Sequence, residues 1–472
     1  MRCQTPVPVL GQGSDTASQQ GKALGHIYMN GGMRVKREGI LRKGTMAVTV
    51  ITIAAALAMS GCAAGAGTQD GISTEATGET QTQTPEETLS QEAATQDTAS
   101  QEQTTTQEQK ETQTTTAAET TAQTYEFEQG LYEFYKDDFM VGVALPSSIV
   151  KNEGKKLRAT ILDNFNSMTC ENEMKPDALL DKAACQANLE ETYTNPVVKF
   201  DSCAPAVKFA LDNGIRIRLH TLVWHSQTPG WFFTEDYTDN GALVSRDVML
   251  ARMENYIKTV LAYFDENYPE LIYAVDVCNE AFDTGDGDED GIRMKKNRWY
   301  DTVGADYYYQ AFVFARKYAP DYMKLFYNDY GCMYKVDSIL THLAQAKEEG
   351  LIDGIGMQSH LNITDDIHFK YLGAVKKFCE AGYEVQITEL DMGMDEKTDS
   401  NIKTQGRKYK VLFSGLKELR EEGYNITSVT VWGINDKNTW RSGEYPLLFD
   451  EKNEPKPAYA GAMLYDKIPA VE

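Results

Sequence analysis

From about Tyr125 onward the chain alternates two hydrophobic rhythms. Short runs rich in β-branched and aromatic residues fall at Phe139–Ala144, Phe165–Cys170, Ile215–Trp224, Tyr273–Asn279, Lys324–Asn328, Gly354–Ser359, Glu384–Glu389 and Ser428–Ile434. Their length and near-continuous apolar character predict buried strands. Between them lie longer stretches, among them Val248–Asn267, Asp306–Tyr318, Val336–Glu349 and Gln405–Glu422, whose apolar residues recur at helical spacing. Strands buried on both faces and separated by helices call for a parallel sheet under a helical layer. Eight such units over roughly 340 residues fit one α/β domain, a closed (β/α)8 or TIM barrel across residues 125–472. An open doubly wound sheet is the competing arrangement.

The predicted strands end on polar and aromatic residues: Glu171 and Asn172, His220 and Trp224, Asn279 and Glu280, Asn328 and Asp329, Gln358 and His360, Glu389, and Trp432. A closed parallel barrel gathers the C-terminal strand ends on one rim, where catalytic groups of this fold collect; an open sheet would not bring all of them together. Glu280 and Glu389 each terminate a predicted strand. A single glutamate there most often starts a loop or caps a helix. Two on one rim fit acetal cleavage, which needs one carboxylic acid to protonate the departing oxygen and one carboxylate to attack or shield the anomeric carbon.

The segment before the barrel has a different character. Residues 68–124 are almost entirely Thr, Gln, Glu, Ala and Ser, with no aromatic residue before Tyr125 and Lys110 as the one basic residue. They bury too little apolar surface to offset ordering entropy, so residues 63–124 read as a disordered acidic linker. Residues 33–62 open with Arg34, Lys36, Arg37, Arg42 and Lys43, continue through an apolar run from Met46 to Met59 and close on Ser60-Gly61-Cys62. That is the layout of an export signal. The closing Leu57–Cys62 segment is similar to a bacterial lipobox, which implies lipidation of Cys62, with Met59 standing where leucine is usual and plain secretion as the alternative. Residues 1–32 fit neither signal nor fold, and the expected start is Met33.

A formal net charge of -24 argues against nucleic acid or an anionic membrane surface as partner, although part of it belongs to the linker. Any membrane association is therefore expected through a lipid at Cys62 alone. Cys170, Cys185, Cys203, Cys278, Cys332 and Cys379 match no compact disulfide or metal-ligand spacing. They are expected to be mostly free, buried thiols. Asp286-Gly287-Asp288-Glu289-Asp290-Gly291 imitates the first half of a calcium loop, but Asn297 stands where the closing glutamate belongs. A solvated loop is expected there, with no required metal and no cofactor.

Taken in order, Phe165–Lys175 (FNSMTCENEMK), His220–Gln227 (HTLVWHSQ), Asp276–Glu280 (DVCNE), Tyr327–Tyr330 (YNDY), Gly356–His360 (GMQSH), Ile387–Asp391 (ITELD) and Val431–Gly433 (VWG) give the chain its clearest likeness. Over Phe139 to Tyr459 it resembles glycoside hydrolase family 10, the retaining endo-β-1,4-xylanases. The resemblance implies Glu280 as general acid/base, Glu389 as nucleophile, His360 as hydrogen-bond donor to Glu389 and Asp391 as the group orienting the far side of that ring. It implies Asn279 on the sugar's 2-hydroxyl, and Glu171, Asn172, Lys175, His220, Gln227 and Gln358 on further hydroxyls. Trp224, Trp432 and Trp440 would stack on pyranose faces, Trp432 and Trp440 crowding the site of a glucose hydroxymethyl, and Tyr330 would meet the departing sugar. Retention follows where the carboxyls lie about 5 Å apart.

Three residues depart from the family pattern: Val275 stands for a usual tryptophan, Leu219 for a common glycine and Tyr256 for a helix histidine. They are expected to alter packing behind the site and to leave its chemistry alone. The expected partners are xylan and xylo-oligosaccharides, acted on outside the cell by a monomer tethered to a bacterial membrane. A β-1,4-glucanase on the same fold and a catalytically silent oligosaccharide-binding lipoprotein are the alternatives.

Overall fold

The computed structural model describes residues 125–152, 154–283 and 285–468. The expected export signal, Cys62 and the acidic linker lie outside these residues. Among the described residues nine strands occur: β1 (Met140–Leu145), β2 (Ser167–Cys170), β3 (Arg216–Trp224), β4 (Ile272–Asn279), β5 (Lys324–Asp329), β6 (Gly354–Met357), β7 (His360–Asn362), β8 (Glu384–Gly393) and β9 (Ile426–Val431). The sheet runs β6-β5-β4-β3-β2-β1-β9-β8-β7, with β6 also paired to β8, so eight parallel strands close into a ring. The barrel, not the open sheet, is the fold.

The strand boundaries differ from those the hydrophobic pattern predicts most at the ends of β6, β8 and β9. The run expected to span Gly354–Ser359 ends at Met357, Ser359 turns into the left-handed region at φ 67°, and β7 resumes at His360. β6 pairs with the first half of β8, Gly354 opposite Glu384, and β7 with the second half, His360 opposite Asp391. This second pairing carries β8 on to Gly393, so Glu389 lies inside its strand and does not end it. The last predicted strand likewise closes at Val431, ahead of Ile434.

The barrel interior holds a buried ion pair. Arg218 of β3 reaches across to Gln386 of β8, Nη1 to Oε1 at 2.5 Å, and binds Asp276 of β4 through Nη2 and through Nε at 3.2 Å. Both charged residues are 1% exposed. Burying them costs desolvation that only good geometry and further hydrogen bonds repay. Gly356 on β6 leaves the room for Arg218: a Cβ there would lie 2.9 Å from Arg218 Nη2 and 2.5 Å from Asn328 Oδ1.

Helices cover the ring. Ser245 caps the helix Arg246–Asn267, its Oγ accepting from the Val248 amide, and Thr398 caps Asp399–Glu421 through the Asn401 amide. Both helices start before the apolar periodicity does, because their first turns are polar and set by the cap. Met249, Met253, Ile257, Val260, Leu261 and Phe264 form the buried stripe of the first one. The six cysteines among the described residues are free; five are buried and Cys379 is half-buried. None of the described helices is long and apolar enough to cross a membrane.

Two of the departures from the family pattern turn out to be one feature. Leu219 and Val275 are register partners on β3 and β4. Their neighbours His220 and Asp276 meet inside the barrel, so strand alternation sends Leu219 and Val275 outward under the helices. Adjacent in register and both buried, the larger residue on β3 and the smaller one on β4 are placed so that each can compensate the other's volume. Leu219→Gly alone should cost roughly 3–5 kcal/mol, and Val275→Trp alone about 1–3 kcal/mol from overpacking. The double variant should recover at least about 1 kcal/mol of that sum, read as coupling in a urea-denaturation double-mutant cycle. Strict additivity would disprove the compensation.

Candidate active site

Glu280 follows β4 immediately and takes a left-handed backbone, φ 56°. A non-glycine residue pays about 1 kcal/mol or more for this, so the surroundings must impose it. Its amide donates to the Asn328 carbonyl at 2.9 Å, and its own carbonyl accepts from Arg293 Nε at 2.9 Å. The half-buried carboxyl accepts from Trp224 Nε1 at 3.0 Å and Gln358 Nε2 at 2.9 Å. Both of these donors are neutral.

Glu389 is 5% exposed and has a different set of partners. Asn328 Nδ2 donates to Oε1 at 2.7 Å, His360 Nε2 lies 3.3 Å from Oε2, and His220 Nδ1 lies 3.9 Å from Oε1. Burial pushes the Glu389 carboxyl upward, but the His220 ring, the His360 ring and the Asn328 amide outweigh it and hold the group down at about 2. For His360, burial works toward the neutral ring, while its bonds to Asp391 and Glu389 and their charges lift it to about 10. Asp391 is fully buried. Its Oδ2 accepts from His360 Nδ1 at 3.0 Å and Trp440 Nε1 at 2.9 Å, and its Oδ1 from Arg441 Nη1 at 2.7 Å.

An amide bridge joins the two carboxyls. Asn328 Nδ2, already on Glu389, also reaches Asn279 Oδ1 at 2.8 Å; Asn279 Nδ2 lies 3.3 Å from Glu280 Oε1, and Gln358 Nε2 lies 3.3 Å from Asn279 Oδ1. Residues from the ends of β4 and β5, from within β8 and from the β6–β7 break are thus fastened to one another. Beneath them, His220 Nδ1 sits 3.0 Å from Asp276 Oδ2, which links the interior ion pair to the rim.

The other predicted residues gather in two groups. On one flank Lys175 Nζ donates to Asn172 Oδ1 at 3.1 Å and to Gln227 Oε1 at 2.8 Å, and lies 4.9 Å from the Trp224 ring centroid. Burial lowers Lys175, against the charges of Glu389 and Glu171; burial also raises Glu171, against the Lys175 charge. Around Glu389, Trp432 packs edge-on to His220 and His360, while Trp440 stands 58% exposed with its ring 4.9 Å from that of His360. Tyr330 belongs to a network that meets the site through the Glu280 backbone: its hydroxyl bonds Asp283 and Arg293, and Lys335 Nζ lies 3.7 Å from its ring centroid.

In the calcium-like loop, Asp283 Oδ1 accepts from the Gly285 and Asp286 amides, and Asp288 Oδ1 from those of Asp290 and Ile292. These carboxylates close their own turns, and among the described residues no three His, Cys, Asp or Glu side chains converge as a metal site. Sequence reasoning placed Asn328 on the rim without a role and passed over Asp276, Arg218, Arg293 and Arg441 as site residues. Asn328 and Asp276 stood in the quoted motifs and were within reach; Arg441 lies in a loop with no pattern to mark it.

A closed parallel barrel with two rim carboxyls, one on neutral donors and the other beside a charged imidazole, defines the class of (β/α)8 glycoside hydrolases. Within that class the chain belongs to glycosyl hydrolase family 10, whose model matches residues 130–464. It is 41% identical to endo-1,4-β-xylanase B of Butyrivibrio fibrisolvens over 63% of this chain and 47% of that protein. It is likewise 41% identical to endo-1,4-β-xylanase Y of Acetivibrio thermocellus, over 70% of this chain and 31% of that one. The chain thus spans about a third to a half of the length of these curated relatives. Among solved structures it is similar to the paired CBM22-1 and GH10 modules of a Clostridium thermocellum endo-1,4-β-D-xylanase complexed with xylohexaose, at TM-score 0.65 and 39% identity, covering 72% and 68% of the two chains. A second is an intracellular xylanase of Thermoanaerobacterium saccharolyticum complexed with xylotriose, at TM-score 0.62 and 34% identity, covering 71% and 98%.

The His360–Glu389 pair has a defined pH signature. His360, raised from 6.5 to about 10, adds stability that is full below pH 6.5 and is lost as pH rises through 10. Glu389, lowered from 4.5 to about 2, adds stability that is full above pH 4.5 and is lost as pH falls through 2. The stability difference between the native chain and His360→Gln should therefore peak between about pH 4.5 and 6.5 and shrink in both directions. Denaturant titrations from about pH 2 to about pH 10 measure it; a difference constant over that whole span would exclude the charged pair.

Proposed function

We propose that this chain is a retaining endo-1,4-β-xylanase that cleaves internal β-1,4-xylosyl bonds, with Glu280 as general acid/base and Glu389 as nucleophile. The observation that carries the reading is the contrast between the two carboxyls: Glu389 is held ionised beside His360, while Glu280 rests on the neutral donors Trp224 and Gln358. In the first step Glu280 gives its proton to the glycosidic oxygen as that bond breaks, and a Glu389 oxygen bonds to the anomeric carbon from the opposite face. The glycosyl ester removes the Glu389 charge. Glu280, now a carboxylate, takes a proton from water; the hydroxyl adds to the anomeric carbon, and Glu389 leaves with its charge restored.

Asn279 suits a contact to the 2-hydroxyl of the sugar being attacked, with Asn172, Lys175 and Gln227 on neighbouring hydroxyls. Trp432 and Trp440 supply flat apolar faces and the bulk that disfavours an exocyclic hydroxymethyl. The relatives solved with xylo-oligosaccharides support xylan as substrate. Cleavage of cello-oligosaccharides at the rate of xylo-oligosaccharides of equal length would favour the glucanase reading instead.

Glu389→Ala should abolish xylan hydrolysis, a loss of at least about 10⁴-fold, with the fold intact by circular dichroism. Glu280→Ala should slow substrates with poor leaving groups far more than activated aryl glycosides, and NMR of the first product should show the β anomer. An α product, or near-normal turnover by Glu389→Ala, would reject the mechanism.

The reading extends to location. The basic start, apolar run and Leu57–Cys62 closure support export and a lipid thioether at Cys62, which would tether a monomeric catalytic domain outside the cell on the acidic linker. Palmitate labelling in a bacterial host should mark the native chain and not Cys62→Ala; an unlabelled native chain would leave secretion as the account, and equal labelling of both would exclude Cys62 as the attachment point.

A further inference from the structure

We infer that Arg293 is a positioning residue for Glu280, holding its left-handed backbone so that the carboxyl stays on Trp224 and Gln358 and faces the departing oxygen. Arg293 is delivered by the loop after β4, which doubles back through bridges between Phe282 and Ile292 and between Gly287 and Arg293. There the side chain is 6% exposed. Its Nε donates to the Glu280 carbonyl at 2.9 Å, and its Nη2 donates to Asp283 Oδ2 and to the Tyr330 hydroxyl, both at 2.7 Å. The planar fork divides its work: one edge is braced on Asp283 and Tyr330, and the other grips a neutral backbone oxygen.

Neutralising Asp283 would need a positive charge and no more. A bond to the Glu280 carbonyl is a different requirement, and it falls on the peptide that has to be restrained. Glu280 sits at φ 56°, where only neighbours that fix both flanking peptides keep a glutamate. The Asn328 carbonyl fixes the peptide before it, and Arg293 fixes the one after. Without the Arg293 side chain the Glu280 carbonyl loses its donor, and although the backbone bond from the Arg293 amide to Ala281 and that from the Phe282 amide to Tyr327 hold the chain beyond it, the Glu280 peptide can relax toward negative φ and draw the carboxyl off its donors. A displacement of about 1 Å is enough to cost a placed group on the order of 10²-fold.

The inference rests on the reading of Glu280 as the acid, and its test separates the two. Aryl β-xylobiosides of graded leaving-group ability are hydrolysed by the native chain, Glu280→Ala, Arg293→Met and Arg293→Lys. Arg293→Met should lose roughly tenfold to a hundredfold in kcat/KM on the poorest leaving group, a fraction of the ~10²–10⁴-fold that a placed general acid supplies. On the dinitrophenyl glycoside it should lose little, which gives a leaving-group slope between those of the native chain and Glu280→Ala. Arg293→Lys should recover part of the difference. An equal loss across the series, or none, would overturn the inference, since a merely structural arginine changes no slope. Should Arg293→Met fail to fold, Arg293→Lys decides by the same slope, and a native one rejects the role. A flat response of Glu280→Ala overturns the acid assignment and this inference together; a sloped Glu280→Ala beside a native-like Arg293→Met rejects this inference alone.

Discussion

Keeping the Glu389 carboxylate charged while it is buried is the constraint from which the architecture of the rim follows. An acid group 5% exposed and without partners would take up a proton. His360 prevents this, but an imidazolium beside one carboxylate is itself a buried ion, and it is held by a second carboxylate on its other nitrogen. Asp391 fills that place because it lies two residues along the same face of β8. Asp391 in turn is fixed by Arg441 and Trp440, so the charge of one side chain is defended to a depth of three residues. The whole arrangement depends on a three-residue ribbon, β7, whose register sets His360 opposite Asp391.

The interior of the barrel supports the same carboxylate from below. Arg218, Asp276 and His220 form a continuous polar chain from the middle of the barrel to Glu389. An apolar filling of similar volume would spare the cost of burying that ion pair, and such replacements are often neutral or stabilising in other proteins. Here it would leave His220 without the acceptor that fixes its ring. The glycine at position 356 shows how closely this polar filling is fitted, since any side chain there would meet Arg218 and Asn328.

Most of the barrel was legible in the chain because its strands are buried on both faces and its helices bury a stripe, two signals that differ in period. What escaped detection was set by tertiary partners. The extension of β8 to Gly393 depends on β7, and three residues reading His-Leu-Asn carry no periodicity of their own. Arg218 sits in an apolar run where alternation alone would turn it toward solvent, and only closure of the ring shows that it faces inward. Glu280 and Glu389 were legible as acids of the rim, yet the contrast between their partners was not, because Trp224, Asn328, and Gln358 with His360 reach them from three other segments. The pairing of Leu219 and Val275 looked like two unrelated departures until the register placed them side by side.

The two carboxyls also differ in how they are mounted. Glu389 lies within β8, between a stretch paired to β6 up to Ile387 and one paired to β7 from Asp391, so its backbone is anchored in the sheet on either side along the chain, although the register with β9 shifts between Ile387 and Leu390. Glu280 stands one residue beyond its strand, in a left-handed turn braced by a loop side chain. On the proposed mechanism that difference has a use. The nucleophile forms and breaks a covalent bond, whose energy rises steeply with misplacement, and it gains from a rigid seat. The acid/base passes a proton to one oxygen and later takes one from another, so it has to serve two positions, and neutral donors tolerate both of its protonation states. A strand suits the first task and a braced turn the second, which is why sequence change in the loop after β4 has a physical route to the acid step that leaves the nucleophile's seat untouched.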